Sequence, residues 1–186
     1  MNNKGLTLIE LMVVIAIIGI LASLAAPSFN TILRQQKVIG EAKVLFSLVY
    51  LARSEAIKRN GIVAICKSND ADQCGGSWSD GWIIFSDSVG NSNGSRDVGE
   101  TLISSGSIRD DYQLSWGAFG SNNYIRFTSQ GLTKSQNGTF KLCPDDGDIR
   151  FARAVVISKT ARVRLTKDSD GDGIYEDDTG NNLTCN

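Results

Sequence analysis

The 186-residue chain contains no histidine. That removes every Ser-His-Asp or Cys-His catalytic arrangement and every imidazole metal ligand. Serine and aspartate are abundant, but none is flanked by a base in a recognisable catalytic motif. The Gly-rich segment 90–99 lacks the lysine and helix that follow a phosphate loop. No enzyme and no small-molecule substrate is therefore expected. The four cysteines are Cys66, Cys74, Cys143 and Cys185, and no two stand at Cys-x-x-Cys spacing. A zinc knuckle or a thioredoxin-like site is accordingly not expected. An even number of cysteines in a loop-rich segment points to disulfides, provided the compartment is oxidising. Pairing Cys66 with Cys74 and Cys143 with Cys185 minimises crossing; two other pairings stay open.

Two charged groups follow one another near the C-terminus. From Arg150 to Lys167 the cations are Arg150, Arg153, Lys159, Arg162, Arg164 and Lys167, with no acid between them. Arg162 and Arg164 alternate on a predicted strand and so share a face. With Lys159 and Lys167 they could hold the phosphates of double-stranded DNA without reading its sequence. No aromatic platform accompanies them, and a solvated strand face neutralised by nearby acids is the plainer reading. Those acids come next: Asp168, Asp170, Asp172, Glu176, Asp177 and Asp178. Alternating carboxylates with a glycine for the sharp turn resemble the front half of a calcium loop. The bidentate glutamate expected at the twelfth position is replaced by Thr179, where Asp177 or Asp178 could substitute. A polar hairpin is the plainer reading here too. Calcium is the only cofactor the sequence raises.

Whether disulfides can form depends on where these residues end up, which the N-terminus decides. Residues 1–5 are polar with one cation, Lys4; residues 6–26 are apolar apart from Thr7, Glu10 and Ser23. As a helix this run spans roughly 31 Å, near the thickness of a bilayer's hydrocarbon core. Lys4 favours a cytoplasmic N-terminus, with the remainder across the membrane. A cleaved secretory signal is the alternative. Glu10 argues against it, because a carboxylate in an apolar helix is costly and a disposable signal has no use for one.

Lys4-Gly5-Leu6-Thr7-Leu8-Ile9-Glu10-Leu11 resembles the prepilin peptidase site of type IV pilins and type II secretion pseudopilins. The resemblance implies cleavage after Gly5, an N-methylated Leu6 as the mature terminus, and Pro27 as the proline of the helix. It departs from the usual pattern in having Leu6 where phenylalanine is common. Glu10 would then pair with the Leu6 amine of a neighbouring subunit, since a lone carboxylate in a packed helical core is unfavourable.

Pro27 can kink a helix without ending it. Beyond it Val38, Ala42, Leu45, Val49, Ala52 and Ala56 keep helical spacing. The helix is predicted to run to about Arg59, stopping at Asn60-Gly61. Short β-rich segments follow, separated by turn residues. They cover 61–66, 81–86, 101–103, 112–116, 124–128, 139–142, 154–158 and 161–166, with a tight turn at Lys159-Thr160. This is an α+β arrangement, an antiparallel β head packed on one long helix. The expected divisions are a leader at 1–5, a transmembrane and assembly helix at 6–27, an amphipathic helix at 28–60 and a head at 61–186.

Leu51 to Arg59 with Val63 and Cys66, Gly81 to Phe85 with Asp87, and Asp97 to Leu102 look like the GspH/FimT family of minor pilins. Arg126-Phe127 through Gly131 and Gly138-Thr139-Phe140 through Cys143 continue the likeness. It implies a minor subunit at or near a filament tip, or one that primes assembly, with other pilins or pseudopilins, the peptidase and the inner membrane as partners. The head would face the periplasm before assembly into a pilus or pseudopilus. Some such pilins bind DNA through Gly-Arg-x-Arg, which here reads Ala161-Arg162-Val163-Arg164.

Overall fold

The structure is a computed structural model that describes residues 7–87 and 93–185, excluding the side chains of 24–28. Apart from a short 3-10 turn at Ile149–Phe151, the described residues form one α-helix, α1 (Leu8–Arg59), followed by eight strands. These are β1 (Val63–Lys67), β2 (Trp82–Ser86), β3 (Leu102–Gly106), β4 (Tyr112–Ala118), β5 (Tyr124–Phe127), β6 (Gly138–Pro144), β7 (Arg153–Ile157) and β8 (Val163–Leu165). The chain divides into two compact units, Met1–Lys37 and Val38–Asn186.

In the first unit the large apolar residues from Leu8 to Leu21 are all about half exposed or more, on every side of the helix. Among the described residues no helix is long and apolar enough to cross a membrane. The described apolar run ends at residue 23, short of the predicted 6–26 span. Helical backbone continues through position 27, while the expected kink at Pro27 lies outside the described side chains.

In the second unit the helical spacing has its predicted result. Val38, Ala42, Leu45, Val49, Ala52 and Ala56 are all at most 2% exposed. Leu48 joins them, and Lys43, Lys58 and Arg59 face solvent. The helix stops where predicted. Asn60 adopts a left-handed φ of 50°, and the Asn60 and Gly61 amides donate to the carbonyls of Ile57 and Ala56. These bonds close the last turn.

The predicted antiparallel β head consists of two four-stranded sheets, ordered β3-β2-β1-β5 and β4-β6-β7-β8. The division follows from burial. Strands β1 and β2 are near-continuous apolar runs because both their faces are covered. Val63, Ile65, Trp82 and Ile84 face the main core with α1, while Ala64, Cys66, Ile83 and Phe85 form a second cluster on the far side. Strand β4 instead alternates, with Tyr112, Leu114 and Trp116 buried and Gln113, Ser115 and Gly117 exposed. Phe140 sits in the main core with ring centroids 5.1 Å from Trp78 and 4.5 Å from Trp116. Both indoles keep hydrogen bonds, Trp78 Nε1 to the Asn122 carbonyl and Trp116 Nε1 to the Ser121 carbonyl, as buried tryptophans require.

Candidate functional site: the helix start and the C-terminal edge of the head

Gly5 and Leu6, the expected cleavage and methylation positions, lie outside the described residues. Glu10 is described, and it does something the sequence reading missed. Thr7 is the N-cap of α1: its carbonyl accepts from the Leu11 amide at 3.2 Å. The Glu10 amide donates to Thr7 Oγ1 at 3.3 Å, and Glu10 Oε2 accepts from the Thr7 amide at 3.0 Å. Thr7 Oγ1 also donates to Oε2 at 3.0 Å. This reciprocal arrangement is a capping box, readable in Thr7-Leu8-Ile9-Glu10. One carboxylate oxygen is committed to the cap. Oε1 has no partner among the described residues and can accept from another subunit.

Both disulfides follow the least-crossing pairing, Cys66–Cys74 and Cys143–Cys185. The first closes the loop after β1 over the second cluster. The other ties the C-terminal segment to β6, where Leu183 packs with Ala152 and Ala154. No cysteine is free.

The stretch of cations from Arg150 to Lys167 does not form one basic surface. Arg150 is paired with Asp148 at 2.7 Å. Arg153 is buried, its guanidinium 3.6 Å from the centroid of Tyr175 and bonded to the Arg150 and Ala152 carbonyls. Burial pulls its pKa below the ordinary arginine value. Lys159, Arg162, Arg164 and Lys167 remain, and all are exposed. Arg162 and Arg164 flank buried Val163, so they do share a face. Strand β8 is an edge, paired on one side with β7. Neither arginine forms an ion pair with a described residue. The neighbouring acids therefore do not neutralise the row by contact, as the plainer reading had it.

The turn before Arg162 explains the missing glycine. The Ala161 amide donates to the Ser158 carbonyl and the Ser158 amide to the Arg162 carbonyl, so Lys159-Thr160 form the predicted tight turn. Ala161 follows it with φ 55°, the left-handed region that favours glycine. Its methyl is fully buried in the main core. Apolar burial here offsets backbone strain, and the hairpin keeps the geometry a glycine would give it.

The acidic segment borders the same edge. Arg162, Arg164, Lys167, Glu176, Asp177 and Asp178 line an open groove of about 630 Å³. Carboxylate oxygens of Asp168, Asp170 and Glu176 lie within 4.8 Å of one another. Asp172, expected as a fourth member, is not among them. Its two oxygens accept from the Ile174 amide and from Asn182 Nδ2, each at 2.7 Å. Asp177 does not substitute at the twelfth position either. Its Oδ1 accepts from the Thr179 amide and hydroxyl and the Asn181 amide. Those bonds hold the Asp177 carboxyl below its ordinary value, the Thr179 contact most of all.

Residues 41–161 match the family described as Type II transport protein GspH, and residues 1–26 match the prokaryotic N-terminal methylation motif. The chain belongs to the GspH family of minor pilins and pseudopilins. Members of this family are structural subunits that assemble with other pilins or pseudopilins, and the methylation motif marks a membrane-anchored subunit. The pilin-like protein PilA1 of Thermus thermophilus is 33% identical over 89% of this chain and 99% of its own length. The type IV major pilin protein PilA of Myxococcus xanthus is 49% identical over 28% of this chain, which spans only 23% of that relative. A crystal structure of the type IV minor pilin FimU of Pseudomonas aeruginosa has a TM-score of 0.55 at 21% identity, covering 71% of this chain and 90% of that one. At that identity the likeness shows the fold: a long helix on an antiparallel β head.

Proposed function

We propose that this chain is a minor type IV pilin, a structural subunit that primes or caps pilus assembly. The observation behind this reading is a methylation motif joined to a GspH head. A supporting one is the helix whose apolar side chains are exposed all round. Such a helix needs lipid or other helices to cover it. In this reading residues 1–5 are the leader, prepilin peptidase cuts after Gly5, and residues 6–27 hold the subunit in the inner membrane with its head in the periplasm. On assembly Glu10 Oε1 accepts from the Leu6 amine of the next subunit while Oε2 keeps the cap. Glu10→Ala should be processed normally yet be missing from sheared filaments; incorporation at the normal level rejects the pairing. Deleting the gene should reduce surface pili while leaving type II secretion intact. The reverse outcome would make the chain a type II secretion minor pseudopilin, which shares the same leader and helix.

A second reading is favoured by Arg162 and Arg164, which are exposed and form no ion pair among the described residues. In it the head contacts double-stranded DNA at the pilus tip during uptake. Binding of a short duplex should weaken steeply with salt and be lost in Arg162→Glu/Arg164→Glu. Binding that survives the double charge reversal places the contact elsewhere.

A further inference from the structure

We infer that Asp168, Asp170 and Glu176 form a divalent-cation site of the calcium class, closing the C-terminal segment onto the edge of the second sheet. The geometry begins with the turn. Gly171 and Gly173 take φ of 81° and 86°, which bends the chain back on itself. Their amides donate to the two oxygens of Asp168 at 2.7 and 3.0 Å. Asp170 is brought round to the same side, and Glu176 closes the group from the strand-like return of the chain. There it bridges to Asn182, and its amide donates to the Lys167 carbonyl.

The observation that points to a ligand is Glu176 itself. The residue is 7% exposed. Its Oε1 accepts from the Ser169 amide at 2.7 Å, but Oε2 is buried with no hydrogen-bond partner among the described residues. A buried carboxylate oxygen left unpaired is a feature folded proteins avoid unless something else satisfies it. Among the described residues no lysine or arginine forms an ion pair with any of the three acids, although Arg162, Arg164 and Lys167 line the same groove. The Glu176 carboxylate has an oxygen within 4.8 Å of oxygens of Asp168 and Asp170. Three like charges gathered at one point, one of them desolvated, call for a cation.

The donor set selects the class. Calcium accepts an irregular shell of carboxylate oxygens such as this turn supplies, whereas magnesium demands a near-ideal octahedron and gives up its waters reluctantly. The donors are all oxygen, and the chain has no histidine and no free cysteine to favour a transition metal. The bidentate glutamate of a full calcium loop is lacking. The affinity should therefore fall with extracellular modules, a Kd of about 10⁻⁴ to 10⁻³ M.

The test uses the full chain in detergent, stripped with EDTA. Calcium chloride and magnesium chloride are titrated separately by calorimetry, and the thermal midpoint is read at each concentration. Calcium should bind one ion per chain and raise the midpoint, with magnesium at least tenfold weaker. Asp170→Asn, at an exposed position that leaves the core intact, and Glu176→Gln should each weaken calcium at least tenfold. Asp172→Asn should bind as the unaltered chain does. No calcium binding up to about 10 mM, tenfold beyond the weakest expected Kd, would overturn the assignment. So would calcium affinity unchanged in Asp170→Asn, or magnesium binding as tightly as calcium.

Discussion

Ala161 allows backbone strain and apolar burial to be separated experimentally. It is fully buried at φ 55°, whereas Ala71 has nearly the same backbone, φ 61°, but is exposed. Replacing either with glycine relieves left-handed strain of about 1–2 kcal/mol. Either replacement also adds freedom to the unfolded chain, opposing that relief by about 0.4–1 kcal/mol. These two effects are common to both sites and cancel in the comparison. What remains is the Ala161 methyl, whose removal from the core forfeits about 0.8 kcal/mol. Ala71→Gly should thus be the more stable of the two by about that amount, with Ala161→Gly near the unaltered protein. Every described buried apolar residue lies in Val38–Asn186, so that unit carries its own core and suits the measurement. Urea unfolding can be followed by tryptophan fluorescence, since Trp78, Trp82 and Trp116 are all buried. In thermal melts the difference should be about 2–3 °C. Equal shifts for the two variants would refute the argument, as would an Ala161→Gly protein stabilised more than Ala71→Gly.

Three further outcomes are expected. Phe140→Ala, which empties a fully buried ring site between Trp78 and Trp116, should destabilise the head by about 3–5 kcal/mol in urea unfolding. A loss under about 1 kcal/mol would show that the aromatic cluster is not the packing centre. Cys185→Ser with Cys143→Ser opens a bridge of sequence separation 42. It should remove about 4 kcal/mol on the chain-entropy account and make the C-terminal segment the first site of proteolysis. Asp87 is fully buried, and burial first, then repulsion from Glu100, raises its carboxyl above the ordinary 3.8. A raised folded pKa means stability present below the unfolded value and lost as pH rises through the folded one. Asp87→Asn should therefore flatten the fall in stability above pH 3.8, and an equally steep fall in the variant would reject Asp87 as its source.

Much of the head was legible because its signals are local. The helical spacing from Val38 to Ala56, the Asn60-Gly61 stop and the Lys159-Thr160 turn depend on residues a few positions apart, and each forms where the pattern put it. All eight predicted strands exist, shifted by at most three residues at their ends, the largest shift being at β3. The capping box of Thr7 and Glu10 is equally local, since its two partners stand three residues apart in the chain.

The sequence alone determined the family, through its leader and head motifs, along with the helix and the strands, whereas which of three cysteine pairings forms was settled by the structure. Only the tertiary structure decided which charges are available. Arg150 and Arg153 read like Arg162 and Arg164 in the sequence, yet one is paired with Asp148 and the other lies buried against Tyr175. Asp172 and Glu176 were equals in an acidic run, yet Asn182 draws Asp172 away while Glu176 is buried beside Asp168 and Asp170. These outcomes turn on contacts between distant elements: β7 against the C-terminal segment, and Cys185 against β6. Strand alternation assigns a side chain to a face. It cannot tell which later segment will fold back over that face and exclude water from it.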